Sequence, residues 1–235
     1  MDRLATIRKK EKAYHDDCYA NTDLFEPGSW LHKPVKTIMD LLDLFNNRTE
    51  INVLDLGCGV GRNCIPIAQK FLHKDITITC VDLLESAISN LEEYSRRFQV
   101  WDKINPILSY ISDYPIPDCY FDLIFSVSSL EHLESERTFD DVLQKIVRGT
   151  KPQGINCFII SSSIKESIIE TGERIDPMFE LIFDSIYLKN KFETLYEDWK
   201  LIKHTVKPYS IEIMRDDQNV LLESEVVTWV VQKTL

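Results

Sequence analysis

Residues 53–63 read VLDLGCGVGRN, and this stretch decides the fold. It closes an apolar run, INVLDL (51–56), of the kind expected for a strand covered on both faces. It opens a helical pattern, RNCIPIAQKF (62–71). Glycine is scarce in the chain, seven residues in 235, yet Gly57, Gly59 and Gly61 fall within five positions. A strand-to-helix turn this tight needs residues without a Cβ, so that the backbone can approach a ligand and present N–H groups at a helix N-terminus. Gly57 then permits the turn, Gly59 lets the ligand lie against the main chain, and Gly61 lets the helix pack closely on the strand. The spacing is not the G-x-G-x-x-G of dinucleotide binders, and the Gly-Lys-Ser/Thr ending of a P-loop is missing. Asp55, two positions before the first glycine, repels a pyrophosphate but accepts hydrogen bonds from an ammonium or hydroxyl group.

Outward from this turn, Asp82 ends the next apolar run, ITITCVD (76–82), 21 residues after Gly61. An acidic residue there in a βαβ unit can accept both hydroxyls of a ribose. Runs at 121–127 and 155–160 predict two more strands. Helical periodicity spans 35–45, 84–98 and 139–147, the last preceded by Ser135 as an N-cap and followed by Gly149 and Pro152 as stop signals. Alternating strand and helix predicts an α/β chain with a parallel sheet. The last third differs: 188–199 reads as a helix, and 201–213 with 225–232 as a β-hairpin with a long connection through the polar 215–219. Residues 1–34 are polar and aromatic with little periodicity, and predict a lid or an N-terminal helix lying on a single domain, 35–235.

Lys and Arg number 27 against 38 Asp and Glu, a formal charge of −11. An acidic chain without a basic stripe argues against nucleic acid and against an anionic membrane as partners. The start, MDRLATIRKKEKAYHDD, has no signal-peptide apolar core, and no apolar run reaches a membrane span, so the cytoplasm is the expected address. The six cysteines, Cys18, Cys58, Cys64, Cys80, Cys119 and Cys157, include no pair at zinc-knuckle spacing, and no His/Asp/Glu cluster suggests a metal. Buried free thiols are the reading they support.

The run VLDLGCGVGRN resembles the first motif of class I S-adenosylmethionine-dependent methyltransferases. Gly61-Arg62-Asn63 with an apolar helix behind it is similar to the branch of TehB-like tellurite-resistance and type-11/12 enzymes. The likeness spans 30–235 in architecture, with its motifs confined to 51–133. It implies a Rossmann-like seven-stranded sheet, mostly parallel, in the order 3-2-1-4-5-7-6 with strand 7 antiparallel and helices on both faces. It also implies S-adenosylmethionine as cofactor, leaving as S-adenosylhomocysteine, and a small-molecule methyl acceptor (EC 2.1.1.-).

Residue by residue, the resemblance puts Asp55, Gly57, Cys58, Gly59, Gly61 and Asp82 around the cofactor. Leu83 lies against the adenine or ribose, or starts the next helix. The adenine-binding places after the third strand fall on Tyr110 and Ile111. Asp113 takes over the contact, or the Ile111 backbone suffices, or Asp113 is a solvated turn carboxylate. Ser126, Val127 and Ser128 border the sulfonium. Glu131-His132 resembles a Glu-His pair of small-molecule methyltransferases, which leaves His132 as a candidate base or a structural residue. Tyr14, Tyr19, Trp30, Leu31 and His32 form the lid-like segment, with Trp30 either touching the methionine end of the cofactor or anchoring the segment. The Asn/Asp-Pro-Pro-Tyr/Phe signature of nucleic-acid amino-methylating enzymes is missing. Two other readings stand beside the enzyme: a non-catalytic protein that keeps the cofactor fold, and a nicotinamide-dependent dehydrogenase, which Asp55 and the glycine spacing oppose.

Overall fold

The computed structural model describes residues 3–234; residues 1, 2 and 235, at the ends of the two expected ranges 1–34 and 35–235, lie outside the described residues. The parallel strands are β1 (Glu50–Leu56), β2 (Asp75–Asp82), β3 (Ile104–Leu108), β4 (Phe121–Val127) and β5 (Thr150–Ile168). After them come the two-residue β6 (Arg174–Ile175), β7 (Lys200–Arg215) and β8 (Gln218–Gln232). The sheet order is β3-β2-β1-β4-β5-β8-β7, with β6 pairing β5 at its far end. β8 is antiparallel to both neighbours. This is the expected order of seven main strands. The eighth is a short addition where 169–173 turns back on β5.

Helices α1 (Arg3–Asn21), α2 (Lys36–Leu41), α3 (Cys64–Lys70), α4 (Glu85–Arg97), α5 (Glu136–Gly149) and α6 (Ser185–Leu195) accompany the strands. Because side chains alternate across a strand, the apolar runs feed two cores. Val53, Ile78, Phe125 and Cys157 pack on the face of α2, α3 and α4. Leu54, Val81, Ile124 and Phe158 pack on the face of α5 and α6. Ser135 caps α5 as expected, its Oγ accepting the Thr138 N–H at 3.1 Å. All six cysteines are free thiols, four of them buried.

The C-terminal hairpin differs from the expected one. Its connection is not long: Asp216 and Asp217 alone make the turn, both with positive φ (47° and 63°). Two left-handed residues give the turn a twist that matches its strands, and Asp tolerates that region. Strand β8 therefore begins at Gln218, and the polar Gln218, Asn219, Glu223 and Ser224 in its first half hid the pairing. β5 is likewise longer than 155–160. It runs nine residues beyond Ile159, the partner of the last residue of β4. This outer part of β5, β8 and β7 rises past the C-terminal ends of the other strands, and α1 lies against it.

The N-terminal segment forms a helix of 19 residues, of which Ile7 and Tyr19 are buried. Its sequence lacks an apolar stripe because polar contacts hold it. Arg3 pairs with Asp176 at 3.0 Å, Arg8 with Glu134 at 3.0 Å, and Lys10 with Asp216 at 2.7 Å. The Ser86 hydroxyl donates to Asp16 at 2.5 Å.

Candidate cofactor and acceptor site

The turn after β1 is pinned by main-chain bonds. The N–H groups of Gly57 and Cys58 both donate to the Val81 carbonyl, at 2.8 and 3.1 Å. A Cβ on Gly57 would fall 2.0 Å from Ser129 Oγ, and one on Gly61 would run into Leu91 and Ile65, so both glycines allow close packing. Gly59 is different: at φ +53° its missing Cβ faces only the Tyr19 hydroxyl, at 3.1 Å. The backbone here is open to a ligand, with one side chain of α1 resting over it. Asp82 organises the same loop, its Oδ2 accepting the Gly59 N–H at 2.8 Å and its Oδ1 the Leu84 N–H at 3.0 Å.

Around this turn stand buried polar atoms without partners: Asp55 Oδ2, Arg62 Nε and Ser126 Oγ. Burial and the nearby Asp82 carboxyl hold Asp55 well above the usual carboxylate range, with Arg62 only partly opposing them. Burial also raises Asp82, against the backbone bonds that favour its charge. Two carboxyl groups close enough to feel each other's charge, one of them with a free buried oxygen, fit a ligand that is cationic and rich in donors. S-adenosylmethionine, with its ammonium, sulfonium and ribose hydroxyls, has that chemistry.

Trp30 stands at the mouth. The Arg62 guanidinium lies 5.1 Å from its ring centroid and donates to its carbonyl at 2.8 Å. The His15 and Tyr19 rings approach it at 6.0 and 6.3 Å. Cys58 turns inward: its side chain is buried in the core, and burial raises its thiol. What it offers a ligand is main chain. Leu83 is half exposed beside Asp82, leaving its side chain free for a ligand instead of the core. Ile111 packs on the α5 face, whereas Asp113 sits exposed in the turn after β3, with its carboxylate meeting the Ser112 hydroxyl at 3.4 Å. Both lie in the loop that starts beside Asp82, where the Ser109 N–H donates to the Asp82 carbonyl at 2.9 Å.

His132 sits beyond Ser126, stacked on Phe179 at 5.1 Å, with Nδ1 2.8 Å from Glu180 Oε2. Burial alone would lower its pKa, but the Glu180 hydrogen bond and the Glu131 and Glu11 charges outweigh it and raise it to about 9. A ring protonated at neutral pH is a fixed cation and not a proton acceptor. Sequence reasoning missed Glu180 and the role of Arg62, and placed Tyr19 only in the lid. Arg62 carried a readable signal, since it adjoins Gly61; Glu180 carried none.

The open grooves of the surface lie elsewhere: one of about 460 Å³ runs along α5 past Asp141 and Lys145, and one of about 360 Å³ lies between Lys165 and Glu223. The site itself is covered by α1.

Residues 53–154, which hold the glycine turn, Asp82, Ser126 and His132, match the model of a methyltransferase domain. This segment is a methyltransferase domain, and the fold around it is that of the class I S-adenosylmethionine-dependent methyltransferases. The cofactor of this methyltransferase domain is S-adenosylmethionine. Among known proteins, the chain is 25% identical over 135 residues to ajmaline N-methyltransferase of Rauvolfia serpentina, covering 57% of this chain and 44% of that one. It is 27% identical over 125 residues to the ubiquinone biosynthesis O-methyltransferase of Rickettsia canadensis, covering 53% and 49%. The matched region thus spans about half the length of these curated relatives. In fold it is similar to TehB from Haemophilus influenzae, with a TM-score of 0.62, 21% identity, and coverage of 83% of this chain and 62% of that one.

Proposed function

We propose that this chain is an enzyme that transfers a methyl group from S-adenosylmethionine to a small-molecule acceptor. The observation that carries the reading is the group of buried, unpartnered Asp55, Arg62 and Ser126 atoms around the open face of Gly59. The cofactor supplies an electrophilic methyl group on a sulfonium. The chain's part is to hold it and exclude water. Asp55 and Asp82 accept from the cofactor's ammonium and hydroxyl groups, Gly59 lets it lie on the backbone, and Tyr19 and Trp30 close over it from the lid. Methyl transfer to a nucleophilic atom asks mainly for in-line placement in a dry site, which agrees with a His132 that holds its proton.

Several features support the finer points of the reading. The names of the relatives, an N-methyltransferase and an O-methyltransferase with small acceptors, favour a small molecule over nucleic acid, as does the net charge of −11. No helix among the described residues is long and apolar enough to cross a membrane. Free thiols throughout suit a reducing compartment such as the cytoplasm. Calorimetry with S-adenosylmethionine and S-adenosylhomocysteine, followed by a search for S-adenosylhomocysteine release over a metabolite panel, tests the proposal. Binding of both and turnover of a panel member are expected. A folded protein that binds neither ends the reading, and binding without turnover across the panel returns the non-catalytic one.

A further inference from the structure

Beyond the cofactor's polar atoms, a second buried polar group joins the lid to the sheet. From α1 come Glu11 and His15; from the loop after β4, Glu131 and His132; from the extended β5, Glu166; from the stretch between β6 and α6, Glu180; and from the end of β7, Arg215. Glu166 Oε1 lies 3.3 Å and Glu11 Oε1 3.8 Å from Arg215 Nη2, while Glu11 Oε2 is 3.7 Å from His15 Nε2. Glu11 also feels the charges of His132 and Glu180. Four carboxyl groups thus face two cationic side chains, Arg215 and His132.

The bonding inside the group is incomplete: Arg215 Nε and His15 Nδ1 lack partners, and so do two of its carboxyl oxygens. Glu166, with a side chain 0% exposed, keeps Oε2 without a partner. Glu131, also 0% exposed, gives Oε1 to the Ser161 N–H at 2.9 Å and keeps Oε2 free. Two buried carboxyl oxygens lack donors, and leaving such atoms unpaired is costly. Aromatic rings line the histidines of the group: Tyr14 and Tyr19 flank His15 at 5.3 and 5.6 Å, and Phe179 backs His132. Burial lowers His15 to about 4, so its ring is neutral and adds no positive charge. Carboxyl oxygens without donors, in a group that also holds aromatic rings, suit an N–H cation.

We infer that the methyl acceptor is a basic amine, held as its ammonium by Glu11 against the aromatic wall of α1, with Glu131 and Glu166 taking donors of the same molecule. The inference rests on the methyltransferase reading for its setting, though not for its test. Glu11 then has a second duty. One ammonium proton passes to a Glu11 carboxylate oxygen, leaving a neutral amine with a free lone pair and a neutral carboxyl. The raised affinity of Glu11 for protons, caused first by burial, suits that transfer. A carboxylic acid would bring a negative charge into a group that already holds four carboxyls.

Calorimetric titration of the full chain with phenethylamine, benzylamine and cyclohexylamine, against phenethyl alcohol and phenylacetate, tests this with and without S-adenosylhomocysteine. At least one amine is expected to bind about tenfold or more tighter than its alcohol counterpart, and phenylacetate weakest. Glu11→Gln should abolish that preference in a protein that still folds and keeps its affinity for S-adenosylhomocysteine; Glu11→Asp should restore part of it. Glu166→Gln, from inside the sheet, should weaken the amine without touching the product. Alcohol or carboxylate binding as well as amine, or a preference that survives Glu11→Gln, overturns the inference. A chain that does not bind S-adenosylhomocysteine loses the proposed function instead, and the amine titrations without it still read out.

Discussion

Asp55 bears an electrostatic cost that its neighbours do not relieve. An acid whose pKa is raised on folding stabilises the fold fully below its unfolded value, 3.8, and that contribution is lost as pH rises through the higher folded value. At neutral pH the cofactor-free protein therefore holds this group unfavourably. Asp55→Asn is expected to melt above the wild type without ligand, and to lose the gain in melting temperature that S-adenosylhomocysteine confers. A variant that keeps that gain would remove the carboxylate from the site. Asp82→Ala acts in the opposite sense. It gives up the two bonds that shape the Gly59 loop together with those to the ribose, and should weaken cofactor binding by about 1.5–3 kcal/mol in a folded protein. An unchanged dissociation constant would refute this. His132 is raised above 6.5 to about 9, so its pairing stabilises below 6.5 and the contribution is lost as pH climbs through 9. Glu180→Gln should flatten stability across that window and bring the ring's NMR titration midpoint down. A midpoint still near 9 would mean that Glu131 and Glu11 alone hold the proton.

Among the elements, α1 is the one whose attachment is polar. Its burial rests on Ile7 and Tyr19, while Arg3, Arg8 and Lys10 hold exposed or half-exposed partners. Such pairs contribute about 1 kcal/mol or less each and weaken in salt. The helix should therefore lift as a unit to admit ligands. Trypsin should cut between Arg8 and Lys12 faster in about 0.5 M salt than in low salt, and slower with S-adenosylhomocysteine bound. Equal rates under all three conditions would make α1 a fixed cap. This polar attachment also explains what was hard to read. The strands at 51–56, 76–82 and 121–127 were legible because each is buried on both faces and so apolar throughout. β3 was not, since INPIL is short and carries Pro106. The outer halves of β5 and β8 were hidden because the buried polar residues Ser162, Glu166 and Ser224 interrupt their apolar ones, Ile164, Ile168, Val220 and Leu222. The glycine turn was legible from spacing alone; Glu11 and Glu180 were not, because each lies far in sequence from its partner and looks like any solvated acid.

For the whole molecule, the charge of −11 has a kinetic consequence. S-adenosylmethionine carries one net positive charge, and S-adenosylhomocysteine, without the sulfonium, carries none. A strongly acidic protein whose site ends in Asp55 and Asp82 attracts the first at long range and is indifferent to the second. Charged steering of this kind raises association rates by about 10-fold or more at low salt and fades as the Debye length shrinks from about 30 Å at 0.01 M to about 3 Å at 1 M. The site is also assembled from both ends of the chain, residues 11–19 and 215 with the middle, so the approaching ligand meets the field of the complete molecule. Stopped-flow fluorescence of Trp30 at the mouth measures both association rates. Raising salt should slow S-adenosylmethionine several-fold while leaving S-adenosylhomocysteine nearly unchanged, and the product's dissociation rate should be insensitive throughout. If the two ligands gain speed equally, salt is acting on the opening of α1, which it eases, and not on the charge of the incoming cofactor. A Lys10→Ala variant, already lacking one lid contact, then separates the two causes: opening would show a weaker salt dependence in the variant, steering the same one.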